Sequence, residues 1–139
     1  MAVLTFTVPG KPFGKQRPRV TRTGHAYTPK ETVSYENLVR MSFVEKYPEF
    51  FPTGAPVILS VIAAFPIPQS WTKKKVKAAL AGDIYPGKPD IDNVLKIIQD
   101  ALNGIAYKDD AQIWNTTVTK TYAERPGVTV YLEYIEETG

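Results

Sequence analysis

Residues 92–104 read DNVLKIIQDALNG, and Val94, Leu95, Ile98, Ala101, Leu102 and then Ile105 keep the i, i+3, i+4 rhythm of one apolar helical stripe. Asn103-Gly104 supplies the stop, and Asp92 stands where a helix favours a capping oxygen. The opposite face shows Asp92, Lys96 and Asp100, each four residues apart. Elsewhere the pattern is weaker. VLTFTV (3–8) alternates and reads as a strand. ETVSYENLVRMSFVEKY (31–47) follows Thr28-Pro29, a helix-start signal, and Val33, Leu38, Met41 and Val44 mark its expected buried face. APVILSVIAAFPIP (55–68) is a mostly apolar strand, as expected when both faces are covered. SWTKKKVKAALAG (70–82) reads as a short helix capped by Ser70, with Trp71, Val76 and Leu80 on one side. AQIWNTTVTKTY and GVTVYLEYI, joined through AERPG, predict an antiparallel C-terminal hairpin over 112–135.

These elements run β-loop-α-β-α-α-β-β. That order predicts an α/β protein, one compact domain over residues 1–139 with helices packed on a small mixed β-sheet. Residues 9–30 interrupt the pattern. They are rich in proline, glycine and basic side chains, and read as a long basic loop or hairpin of the kind that often carries function.

Composition narrows the setting. The chain has 139 residues, 43% of them hydrophobic, which suits a globular domain with a core of its own. With no cysteine, disulfides and thiolate metal sites are excluded, in keeping with a reducing compartment. No apolar run is long enough for a membrane span, and MAVLTFTVPG lacks the features of a signal peptide, so a cytoplasmic protein is expected. The net charge of +3 is unevenly spread: 13 Lys/Arg face 5 Asp/Glu through Lys88, and 4 face 9 from Pro89 onward. A basic portion beside an acidic cluster suits a polyanion held against a cation site, and equally follows from chance in a short chain.

The acidic cluster carries the sharper signal. Asp92 alone would be a cap, but Asp90 lies one residue away in KPDIDN, and only one residue can cap the helix. Two carboxylates this close repel unless a hard divalent cation shares them. Asp109 and Asp110 follow the helix. The helix is about 16 Å long, and the seven residues from Gly104 to Asp110 reach at most roughly 23 Å, so the chain is able to bring the second pair back to the helix start. Otherwise KDD is a solvated turn. Aspartates without nearby histidine or cysteine point to Mg²⁺ or Mn²⁺, the ions of phosphodiester hydrolysis. Lys96 reads, on spacing alone, as an ordinary i, i+4 partner.

Lys15, Arg17, Arg19 and Arg22, with Tyr27 near, form a strip suited to a phosphate backbone. Lys73, Lys74 and Lys75 form a second basic patch or a merely solubilising face, and His25 reads as incidental. These residues leave three readings open: a nuclease, a Mg²⁺-dependent nucleotide phosphohydrolase, and a non-catalytic DNA-binding module. No GxxxxGK[ST] loop supports the second.

KPDIDNVLKIIQDALNGIAYKDDAQI (88–113) closely resembles the core motif of the RusA-like Holliday junction resolvases. VPGKPFGKQRPRVTRTGHAYTP and FPIPQSWTKKK resemble that family's basic N-terminal and middle segments. The resemblance implies a homodimeric, Mg²⁺- or Mn²⁺-dependent endonuclease that resolves four-way DNA junctions by paired symmetrical nicks. It implies that Asp90, Asp92 and Asp110 are the metal-binding catalytic carboxylates and Lys96 the essential lysine. Asp109 and Asp100 match motif positions with weaker claims to the metal. The apolar strand 57–65 and the tyrosine-rich C-terminal strands are both candidates for the dimer contact.

Overall fold

The computed structural model describes residues 2–136. Its centre is set by the longest apolar run. Val57–Pro66 forms strand β4, which pairs on one side with β5 (Ile113–Ala123), in parallel, and on the other with β6 (Gly127–Tyr134), antiparallel. β1 (Ala2–Pro9) completes the sheet against the far side of β6, giving the order β1-β6-β4-β5. The predicted C-terminal hairpin is therefore not formed. β5 and β6 lie on opposite flanks of β4, and the short AERPG connection passes over the end of that strand. A ladder on both sides satisfies every hydrogen-bonding edge of the most apolar strand, which a simple hairpin would have left at the margin.

Helices cover one face only. Val57, Leu59, Val61, Ala63 and Phe65 join the core, packed with residues of α1 (Lys30–Lys46) and α3 (Ile91–Leu102). The alternate positions face the other way, and Ile62 there is 40% exposed. This corrects the expectation that β4 is covered on both faces. α2 (Lys73–Leu80) packs on the helical side of β5, with Trp71 edge-on to Tyr122 at a 5.1 Å centroid separation. Thr72, not Ser70, caps α2 by accepting from Lys75 N–H at 3.2 Å, and Ala79 is its buried residue while Leu80 is exposed.

α3 buries Val94, Ile97, Ile98, Ala101 and Leu102, close to the expected stripe. α1 does not follow its prediction. Val33, Met41 and Val44 are exposed, and the helix turns Thr32, Tyr35, Glu36, Val39 and Phe43 inward. Aromatic packing decides this rotation. Phe43 touches Phe6, Tyr47 and Phe50 at 5.5–5.6 Å between ring centroids, and a buried ring with three aromatic neighbours gains edge and face contacts that an aliphatic side chain does not make. Glu36 tolerates burial because a lysine meets it there, as described below. A small exposed hairpin, β2 (Arg19–Val20) with β3 (Ala26–Tyr27), projects from the basic segment.

Candidate active site

The start of α3 differs from the sequence reading in one respect that matters. Asp90, not Asp92, occupies the cap position, and its backbone carbonyl accepts from Asn93 and Val94 N–H at 3.1 Å each. Its side chain makes no capping bond. Asp92 sits in the first helical turn. Neither carboxylate is consumed by the cap. Both are exposed at the positive end of the helix dipole, where negative charge is favoured.

Three contacts hold this corner in place. Lys120, on β5, donates from Nζ to the carbonyls of Gly87 and, at 3.0 Å, Pro89, so the sheet fixes the approach to Asp90. Lys15 N–H donates to Asn93 O at 2.9 Å. Gly14 packs so tightly that a Cβ there would lie 2.5 Å from Cβ of Pro89. A side chain at residue 14 must push Pro89 away. Sequence reasoning passed over Lys120, because a lone lysine in an alternating Thr-rich strand looks like any exposed strand position.

The Lys15 side chain turns inward. It lies 3.2 Å from Glu36 and 3.2 Å from Asp100, and Asp100 also meets Lys96 at 3.3 Å. Lys15 is thus committed to an internal network and not to the surface strip in which the sequence placed it. Arg17, Arg19 and Arg22 are exposed and carry no ion pair among the described residues, with Arg19 opposite Tyr27 across the small hairpin. Lys73, Lys74 and Lys75 crowd the first turn of α2, which has no acidic residue there, and Lys75 lies 4.2 Å from the centroid of Trp71. Cations at a helix N-terminus oppose its dipole, so this patch gains from an anion brought to it.

The chain does return after α3. Gly104 takes a positive φ of 85°, which a glycine adopts without steric cost. Two buried tyrosines then anchor the segment: Tyr134 Oη donates to Ala106 O at 2.7 Å, and Tyr107 Oη to Gln99 O at 2.6 Å. Burial first, and then the carboxylates of Asp110 and Asp100, push the Tyr107 phenol well above its usual range, so it stays a donor. The return ends in a short 3₁₀ turn, Asp110–Gln112, capped by Asp109, whose side chain accepts from Ala111 N–H at 3.0 Å. The Gln112 side chain accepts from Lys108 and Asp109 N–H and donates to Thr53 and Ala55 carbonyls, each of the latter at 2.8 Å.

Asp109 and Asp110 therefore have different surroundings. The Ala111 N–H lowers the Asp109 carboxyl, with help from Asp110. Asp110 is raised, first by its side-chain hydrogen bond to Asp109, then by slight desolvation and the charges of Asp109 and Asp100, while Lys96 pulls it down. Asp110 thus feels the charges of Lys96 and Asp100 on α3, the same helix that carries Asp92. Among the described residues no three His, Cys, Asp or Glu side chains converge into a group able to hold a metal ion. The donor chemistry nevertheless fits a hard cation: Asp90 and Asp92 have no cap to serve, and Asp110 crowds its own kind.

The class of protein so defined is a two-layer α/β domain whose acidic side chains and one exposed lysine lie along a single helix, flanked by unpaired basic arms. The sequence family described as Endodeoxyribonuclease RusA matches residues 9–133, and the chain belongs to that family. It is also similar to a Bacillus subtilis (strain 168) protein named Uncharacterized protein YqaN, at 37% identity over 141 residues, covering 97% of this chain and 99% of that protein. Among the described residues no helix is long and apolar enough to cross a membrane.

Proposed function

We propose that this protein is a Mg²⁺- or Mn²⁺-dependent endonuclease that resolves four-way DNA junctions, working as a homodimer that nicks two symmetry-related strands. The observation that carries this reading is the pair of carboxylates at the start of α3, both exposed and neither spent on a capping bond. Asp90 and Asp92 would hold the ion, with Asp110 as the third carboxylate closing on it once it is bound. Once bound, the ion supplies Lewis acidity at a phosphoryl oxygen and lowers the pKa of an attacking water. Lys96 is 59% exposed at its side chain and shares Asp100 with Lys15. Its ammonium is free to leave that contact and donate to a phosphate oxygen. Arg17, Arg19, Arg22 and the lysines of α2 neutralise backbone phosphates and set the register of the strand. Two equivalent sites in a two-fold dimer match the two equivalent strands of a junction.

A supercoiled plasmid that extrudes a cruciform tests this directly. Paired nicking within one binding event yields linear DNA, whereas independent nicking yields open circles. Linear product that depends on Mg²⁺ or Mn²⁺, disappears with chelator and is absent from a plasmid without the cruciform is the expected result. Open circles alone would rule out paired action, and an intact plasmid under every metal would overturn the nuclease reading.

The basic arm has its own signature. The triple variant Arg17→Gln, Arg19→Gln, Arg22→Gln should weaken junction binding and make the slope of log K against log salt shallower by roughly two to three. Fluorescence anisotropy at four or five salt concentrations measures it. An unchanged slope would mean these side chains do not meet phosphate.

A further inference from the structure

Beside the approach to Asp90 lies a cavity of about 300 Å³ that the proposed chemistry does not use. Phe65 and Tyr122 line it from the ends of the parallel strands β4 and β5, and Pro86 and Gly87 line it from the loop that leads to Asp90. Lys11 and Lys88 complete the lining. Both are exposed, and neither has a hydrogen bond or ion pair from its side chain among the described residues. The volume is at the small end of ligand sites, which run from roughly 300 to 1,000 Å³. Its walls are preformed. Proline fixes the backbone of the loop, Lys120 ties the Gly87 carbonyl to the sheet, and Trp71 supports Tyr122 from behind.

An aromatic and proline-lined hollow with two unpaired ammonium groups suits a flat heterocycle that brings phosphates with it. The cavity sits on the same loop as the first carboxylate, two residues from Lys88 to Asp90. We propose that it receives one unstacked nucleobase of the DNA strand being cut, with Lys11 and Lys88 meeting the phosphates on either side. This deepens the junction-nuclease reading and rests on it. Such a base would be available in a four-way junction, where pairing is interrupted at the exchange point, and costly to obtain from a continuous duplex. The pocket would then contribute to the choice of structure as well as to the choice of sequence.

Gly87 offers a place to add bulk at the lining of the hollow. A Cβ built there meets no heavy atom within 4 Å, so Gly87→Leu is compatible with the fold and places a side chain at the pocket wall. The test uses synthetic four-way junctions carrying a single 2-aminopurine at successive positions around the exchange point. Full-length protein is added to saturation with Ca²⁺ in place of Mg²⁺ or Mn²⁺, and the strands are checked to be intact on a denaturing gel. One position should brighten several-fold with the wild type and stay dim with Gly87→Leu, saturation being read by anisotropy in the same cuvette. An abasic nucleotide at that position should weaken wild-type binding on the order of tenfold. No responsive position, or an equal response from Gly87→Leu, would overturn the proposal. A responsive position in a protein that cuts no junction under Mg²⁺ or Mn²⁺ would keep the pocket and remove the nuclease. Failure to bind the junction at all would remove both.

Discussion

Asp90→Asn should leave a folded protein that binds a four-way junction and cuts it on the order of 10³-fold more slowly, the scale on which one preorganised charge-stabilising group acts. The substitution keeps size and shape. It also keeps the start of α3, because the bonds to Asn93 and Val94 come from the backbone carbonyl of residue 90 and not from its side chain. An exposed side chain with no partner contributes little to stability, so the melting temperature should hold within a degree or two, consistent with about 0.5 kcal/mol or less. The measurement is single-turnover cleavage alongside junction affinity. If the variant cuts at the wild-type rate, Asp90 is not part of the reaction. If it loses binding and cutting together, the carboxylate serves the architecture instead. Asp109→Asn gives the contrast. Asparagine caps as well as aspartate, so the 3₁₀ turn survives and only a small loss of rate is expected.

Lys15→Met should produce the largest loss of stability among the basic side chains. The ammonium is mostly buried, and removing it strands Glu36, itself 8% exposed on α1, together with one side of Asp100. Breaking a buried pair from one end costs roughly 3–5 kcal/mol; partial solvent access favours the lower figure, about 3 kcal/mol. A domain of this size should then melt about 10 °C lower. Adding Glu36→Gln should recover part of the loss, because the stranded charge is what costs most. Thermal unfolding of the two single variants and the double variant checks this. A Lys15→Met protein with unchanged melting and a shallower salt slope would instead mark Lys15 as a phosphate contact.

The contrast between Lys15 and its neighbours shows what a linear reading captures. The α3 stripe was legible because helical periodicity is local: Val94, Ile98, Ala101 and Leu102 announce their shared face within a few turns. The helix start was legible only to within two residues: the capping position falls at Asp90, where the sequence pattern suggested Asp92. Lys15 was not legible, since its fate depends on Glu36, 21 residues on, and on Asp100 on a different helix. The misread pairing of β5 and β6 has a similar cause. A short Gly- and Pro-bearing connection between two strand-like runs favours a hairpin locally, but the apolar β4, nearly fifty residues upstream, enters between them. α1 shows the reverse problem. Its polar and apolar residues are so evenly mixed that no stripe stands out, and contacts such as Phe43 with Phe6 choose the face. The path of Asp110 combines both effects: its return was within reach of the chain, but the course of the intervening segment is set by tyrosines and a glutamine whose partners lie far off in sequence.

The segment that carries the aspartates is fastened near its two ends by side chains: Lys120, on β5, grips the backbone at Gly87 and Pro89, and Gln112 grips Thr53 and Ala55 just ahead of β4. The stretch between these fastenings contains every aspartate assigned to the ion. α3 within it is packed into the core, so local opening is confined to the exposed approach at residues 87–92 and the turn at 108–112. An ion gripping carboxylates from both parts of that stretch would add a third fastening. Amide hydrogens at residues 90–92 and 108–112 would then exchange more slowly as cation is added, while those in the centre of β4 and β6 keep their rates. Substrate chemistry and the local rigidity of the chain would share a single control, the concentration of free divalent ion.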